Sequence, residues 1–351
     1  MRREGGHLRR ERRQETRRGG GHRASGVDTA VGGADAPLRR GQAGGAGPGE
    51  PDRGDIPQDG GEARRKGGRK GLRGTTDDPA APGFRVLVCD EAEPPFGAAH
   101  GLSLLIRPAG GEPLVFDTGP DAELLRANMG LAGIEGCPAG TVVLSHGHYD
   151  HTGGLGAFAG CVPAPTVYAG RGFDATRYHV SGHGTRSIGL PPCVDLRPFE
   201  VRTVRGALDL PGGVRLVSPV AAKTFFERGE RCLTLDAKGR KPDTFEDETI
   251  AVMEIEGGVA VFTGCAHRGV VNSALAGSRA FGGAPVKAII GGFHLRDAGM
   301  ERIKATADAL EEMGIERVIA GHCTGAAAMR YLAARFGERF LPLKAGREYR
   351  L

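Results

Sequence analysis

The run Thr141-Val142-Val143-Leu144-Ser145-His146-Gly147-His148-Tyr149-Asp150-His151 decides how this chain is read. Its first four residues have the composition of a short buried strand, and that strand runs directly into a cluster of metal-ligand side chains. His146 and His148 stand two apart, so an extended backbone turns both imidazoles to one side. Asp150 and His151 follow within one more turn of loop, and Gly147 removes side-chain bulk between the first pair. Four ligand groups within six residues at a strand end point to a metal centre rather than to solvated loop histidines. Imidazole together with carboxylate suits zinc, iron, manganese or nickel.

Working outward, a strand pattern at Phe84-Arg85-Val86-Leu87-Val88 opens the region of expected order. Strands follow at 101–106 and 113–116, the latter ending at Asp117-Thr118-Gly119. A helix is expected over 122–131. Residues 170–195 are rich in Gly, Arg, Pro and His with weak periodicity, and read as a long functional loop or insertion. Strands at 249–255 and 259–263 share the turn Glu256-Gly257-Gly258. Helices near 269–280, 300–313 and 325–336 then alternate with strands at 286–290 and 317–320. Strands cluster early and strand–helix alternation comes late, which predicts an α/β arrangement with sheets inside and helices outside.

Residues 1–83 read as a separate, disordered Gly/Arg-rich tail, with 21 glycines, 18 basic and 12 acidic residues, and no Phe, Tyr or Trp. Their few large apolar side chains cannot offset an ordering cost of roughly 1–2 kcal/mol per residue. No apolar stretch follows Arg17-Arg18, which excludes a secretory or twin-arginine signal. A passive tail or a mis-called start are the readings retained. Residues 84–351 carry 29 basic and 30 acidic side chains, so the overall basic balance belongs to the tail and nucleic acid is not an expected partner. Seven scattered cysteines without Cys-x-x-Cys spacing read as reduced thiols of a cytoplasmic protein. No apolar run has the length needed to cross a membrane.

Asp117-Thr118-Gly119 after a strand, followed by Ser145-His146-Gly147-His148-Tyr149-Asp150-His151-Thr152-Gly153-Gly154, resembles the metallo-β-lactamase superfamily with its H-x-H-x-D-H signature. Four further motifs resemble one branch: Ala99-His100-Gly101-Leu102-Ser103, Thr263-Gly264-Cys265-Ala266-His267-Arg268-Gly269, Gly291-Gly292-Phe293-His294-Leu295 and Gly321-His322-Cys323-Thr324-Gly325. That branch contains archaeal dihydropterin–aminobenzene ribofuranosyl phosphate synthases and bacterial metal-dependent hydrolases. The resemblance covers residues 84–351 and implies a four-layer αββα sandwich. It places His146 and His148 on one metal, Asp150, His151 and His322 on a second, and Asp117 behind them as an orienting acceptor. The bridging Asp of the wider superfamily is replaced here by Cys265. Its usual third histidine is replaced by Asp247 and Glu248, which leaves His267 as the best substitute ligand.

Cys265 reads as a thiolate ligand or as a small buried hydrophobe, and its tightly packing neighbours favour the second. His294 reads as a proton shuttle or substrate contact, with a satisfied structural histidine as the alternative. His100 either reaches the site or pins its loop. Arg171, Arg177 and Arg186, near His179 and His183, could bind a phosphate or carboxylate, or could form a solvated loop. The expected cofactor is one or two divalent ions, zinc first, with magnesium, manganese or iron as alternatives. The expected activity is hydrolysis of an ester, phosphoester or related small molecule by a metal-bound hydroxide, with Asp150 and His294 in catalytic roles. The alternatives are a pterin-pyrophosphate-dependent transferase that forms a C–N bond to an arylamine ribosyl phosphate, and a non-catalytic metal-dependent sensor.

Overall fold

The computed structural model describes residues 81–351; the expectations about the tail up to residue 80 lie outside the described residues. Two seven-stranded sheets dominate. In spatial order the first comprises Glu348–Arg350, Gly83–Val88, Ser103–Arg107, Leu114–Phe116, Thr141–Leu144, Thr166–Gly170 and Val201–Val204. The second comprises Phe340–Pro342, Arg317–Gly321, Val286–Gly292, Gly258–Thr263, Ile250–Ile255, Val214–Ser218 and Gly206–Leu210. Each sheet mixes antiparallel pairs with a parallel run, and the parallel strands carry helical crossovers on the outer face.

Three buried clusters mark the interfaces between four layers. Between the sheets lie Phe84, Leu104, Phe116, Phe262, Ile290 and Ile319 with their neighbours. Leu125 and Met129 of helix Ala122–Leu131 pack on the outer face of the first sheet, against Leu87, Leu105 and Val115. Helices Val270–Ala280, Met300–Glu312 and Ala326–Phe336 cover the second sheet through Ala274, Ile303, Leu310 and Leu332. The expected αββα sandwich is the fold observed. Helix Ala122–Leu131 starts where Asp121 accepts a hydrogen bond from the Leu124 amide, which satisfies one of its free N–H groups.

Phe84 opens the first strand and shows how firmly the start of the domain is held. Its ring stacks on Tyr349 at 4.7 Å and meets the edge of Phe262 at 5.4 Å, so it joins the C-terminal strand and the opposite sheet. Phe84→Ala is expected to destabilise the fold by about 3–5 kcal/mol, which denaturant unfolding would measure.

Two expectations are corrected here. Residues 170–195 form a hairpin, Tyr178–Ser181 paired with Gly184–Ser187, extended by Leu233–Thr234 into a three-stranded sheet of its own. Its four-residue strands are too short and too polar to show a period of two. Cys137 and Cys161 form a disulfide, so the reading of seven reduced thiols fails for this pair, and the inference of a cytoplasmic chain loses that support. Among the described residues no helix is long and apolar enough to cross a membrane.

Candidate metal centre

The signature run leaves strand Thr141–Leu144 at the sheet's end, and Tyr149–Thr152 makes a single helical turn where a loop was expected. Gly147 is required at this bend: a Cβ there would lie 1.6 Å from the Phe173 carbonyl oxygen. The chain bends at 145–147, where an extended run was expected, and is extended at His148; the His146 and His148 rings lie 4.5 Å apart, and the following turn brings Asp150 and His151 alongside. His146, His148, Asp150, His151, His267 and His322 are all buried.

The donors fall into two groups. His146 Nε2 lies 3.0 Å from His148 Nδ1 and 3.2 Å from His267 Nε2. On the other side, His151 Nε2 lies 3.2 Å from His322 Nε2, with Asp150 Oδ2 3.5 and 3.4 Å from those two nitrogens. Cys265 Sγ stands 3.3 Å from both His151 Nε2 and His322 Nε2, and with His146 and His151 it forms a further ligand-sized group. Cys265 is buried, as either of its two readings expects, and its sulfur stands among the donor atoms where a bridging carboxylate was sought.

Acceptors behind the ring set the tautomers. Asp117 accepts from His151 Nδ1, from Ser145 N and from Ser145 Oγ, each at 2.7 Å. Ser145 Oγ in turn accepts from His146 Nδ1 at 2.9 Å, and Asp90 accepts from His322 Nδ1 at 2.7 Å. With these Nδ1 atoms protonated, the Nε2 lone pairs of His146, His151 and His322 face inward. Burial lowers the pKa of His148 to about 3 and holds His146 and His267 well below the usual imidazole range. The first group is thus neutral at pH 7, and converging lone pairs are best satisfied by a shared cation. Burial opposes charge on His322 too, but Cys323, Asp150 and Asp90 raise its pKa, so this corner also stabilises positive charge. The donor chemistry fits a divalent metal. Asp117→Asn is expected to weaken metal binding about 10–100-fold, as read by competition with a chromophoric chelator.

Asp247 and Glu248, at the place of the missing histidine, are positioning acids. Asp247 Oδ2 accepts from the Gly147 amide at 2.8 Å and pairs with Arg177 Nη2 at 2.8 Å. Glu248 accepts from the backbone amides of His267 and Arg268 and so holds the turn that aims His267. Burial raises these carboxyls to about 6 and about 7. His267 does not cap the following helix, whose N-cap is Gly269; its ring stacks on Phe245 at 3.9 Å.

A cavity of about 150 Å³ opens over the donors, lined among others by His148, Asp150, Cys265, His267 and His322. His294 reaches it from a left-handed backbone with φ of 47°. Its Nε2 lies 3.0 Å from Glu230 Oε1, off the direction of a hydrogen bond. Burial opposes its charge, yet Cys323 and Glu230 raise its pKa to about 10. His100 reaches the site: Nδ1 is 2.9 Å from Asp90 Oδ2, and Nε2 is 3.5 Å from Asp150 Oδ2.

The arginines separate. Arg177 is buried between Asp243 and Asp247, which rules it out as an anion contact; Arg171 and His183 are exposed and do not line the cavity; His179 and Arg186 do. Sequence reasoning missed Asp90, Glu230 and the cavity-lining Arg296, whose Nη2 pairs with Asp90 Oδ2 at 3.0 Å. Asp90 follows the first strand much as Asp117 follows the third, and that parallel was a usable signal.

A four-layer αββα sandwich with its donors gathered at the strand ends defines a class, and the chain belongs to the metallo-beta-lactamase superfamily, whose family model matches residues 97–322. Members of this superfamily bind divalent metals. The chain is 32% identical, over 72% of its own length and 90% of the relative's, to the 7,8-dihydropterin-6-methyl-4-(beta-D-ribofuranosyl)-aminobenzene-5'-phosphate synthase of Methanocaldococcus jannaschii. An uncharacterized protein of the same archaeon is 26% identical over 71% of this chain and 93% of its own. Among solved structures, Tm1679, a metal-dependent hydrolase of the beta-lactamase superfamily, superposes with a TM-score of 0.66 at 28% identity, over 77% of this chain and 99% of that one.

Proposed function

We propose that this chain is a two-zinc hydrolase of small-molecule esters or phosphoesters. The observation that carries this reading is the gathering of two donor groups, His146/His148/His267 and Asp150/His151/His322, beneath one cavity with Cys265 between them. A divalent metal held there supplies Lewis acidity and activates water for attack at neutral pH. Asp150, kept ionised by His151 and His322 against the cost of burial, orients its neighbours and can accept a proton at Oδ2. His294 stands across the cavity as the proton donor to a leaving group, with Glu230 beside it.

A second reading, a transferase that forms a C–N bond and releases pyrophosphate from a pterin pyrophosphate, is favoured by the similarity to the archaeal synthase. One panel separates the two. The purified, metal-analysed protein is offered phosphodiesters, lactones and thioesters in parallel with a pterin pyrophosphate and an arylamine ribosyl phosphate. The hydrolase reading expects water to be the acceptor in at least one of the first three. Turnover confined to the pterin–arylamine pair would replace it with the transferase, and full activity in metal-free protein would overturn both.

A further inference from the structure

We propose that His179 and Arg186 form a clamp for a phosphate group on the substrate, a few atoms from the bond that reacts. The inference rests on the reading of the 150 Å³ cavity as the substrate site.

The two residues are directly opposed in the register of the hairpin Tyr178–Ser181/Gly184–Ser187. Opposed residues point to the same face with Cβ atoms about 4.5–5.5 Å apart, and both line the cavity. A guanidinium and an imidazole N–H side by side on one face offer an anion several converging donors. Among the described residues no carboxylate pairs with either side chain. Arg186 lies over the Tyr149 ring at 5.8 Å, and it has no carboxylate partner among the described residues. His179 has no hydrogen-bond or ion-pair partner among them. The nearby cavity acids are engaged elsewhere, Glu230 at His294 and Asp150 among His100, His151 and His322.

Tyr149 lies between two donor residues, and its amide donates to the Ile188 carbonyl at 3.0 Å. The end of the hairpin is thereby tied to the signature run, so the clamp and the donor cluster keep a fixed separation. The fork of Arg186 with one further N–H from His179 matches an oxyanion with three oxygens; a carboxylate would be satisfied by the arginine alone.

The test is calorimetric titration of the metal-loaded full-length protein with phenyl phosphate, benzoate and phenol, repeated with Arg186→Met and His179→Asn. Both substitutions lie on a partly or fully exposed hairpin, and metal content is measured for each variant. Phenyl phosphate is expected to bind the parent about 10–100-fold more tightly than Arg186→Met, with a smaller loss in His179→Asn; benzoate, which needs only the arginine fork, is expected to weaken in Arg186→Met but not in His179→Asn, and phenol in neither. Equal phenyl phosphate affinity in all three proteins at unchanged metal content would overturn the clamp. A benzoate loss in His179→Asn as large as the phosphate loss there would overturn the assignment to phosphate. Phosphate release is followed in the same samples, so failure of the clamp, seen as unchanged affinity, is read apart from failure of the hydrolase reading, seen in the substrate panel.

Discussion

His148→Ala is expected to yield a folded protein that has lost turnover and more than about 100-fold of its metal affinity, exceeding the 10–100-fold that outer partners such as Asp117 contribute. The ring supplies Nδ1 to the first donor group at 3.0 Å from His146 Nε2, while its own Nε2 is buried without a hydrogen-bond partner. Gly147 beside it has no side chain, and Phe245 fills the adjacent space. The same variant carries a signature in acid. His148 has its pKa lowered to about 3 by burial in the folded chain, against about 6.5 when unfolded. The unfolded state therefore binds the extra proton first, and the folded protein loses stability as pH falls from about 6.5 toward 3. His148→Ala removes that contribution. Its melting temperature should fall less steeply than that of the parent over this window. An unchanged metal content would contradict the assignment.

Cys265→Ala tests the centre from the other side. The thiol stands where the superfamily's bridging carboxylate was sought, between the two donor groups, and burial holds its pKa well above the usual range when no cation is near. A coordinated thiol is deprotonated outright, so the cobalt-loaded parent should show a thiolate-to-metal charge-transfer band in the near ultraviolet. Cys265→Ala should abolish that band and retain one of two metal equivalents. Cys265→Asp should restore the second equivalent without the band. A band that survives in the alanine variant would assign the thiolate to Cys323 instead.

These residues differ in how far a reader of sequence could have found them. His146 to His151 are contiguous, so their chemistry is visible before any fold is known. His322 and His267 became visible through strand ends and motif resemblance. Cys265 was visible with both readings open, because a buried thiol is apolar filler or ligand according to what its sulfur faces, and that is a tertiary fact. Arg177 erred the other way: in sequence it is one basic residue of a polar loop, and only the fold buries it between Asp243 and Asp247. Asp90 and Glu230 act across long separations in the chain, and the Cys137–Cys161 bond spans 24 residues with no local pattern. The helices and the most apolar strands were legible from periodicity, but the sheet strands Thr166–Gly170, Val201–Val204, Gly206–Leu210 and Val214–Ser218 were not placed. The polar hairpin and the edge strands at 340–342 and 348–350 were not, since three or four residues are too few to show a period.

The non-glycine residues with positive φ among those described are Asp117, Phe245, Ala266, His294 and His322, and each belongs to the donor cluster, its acceptors or its walls. A side chain in that conformation costs roughly 1–2 kcal/mol, so the centre is where the chain is least at ease in its own fold. A compound that engages those side chains adds its binding free energy to that of folding. The melting temperature of this protein therefore doubles as a search instrument. A library of metals and small phosphorylated molecules could be ranked by the heat each lets the protein withstand, before any reaction product has been identified.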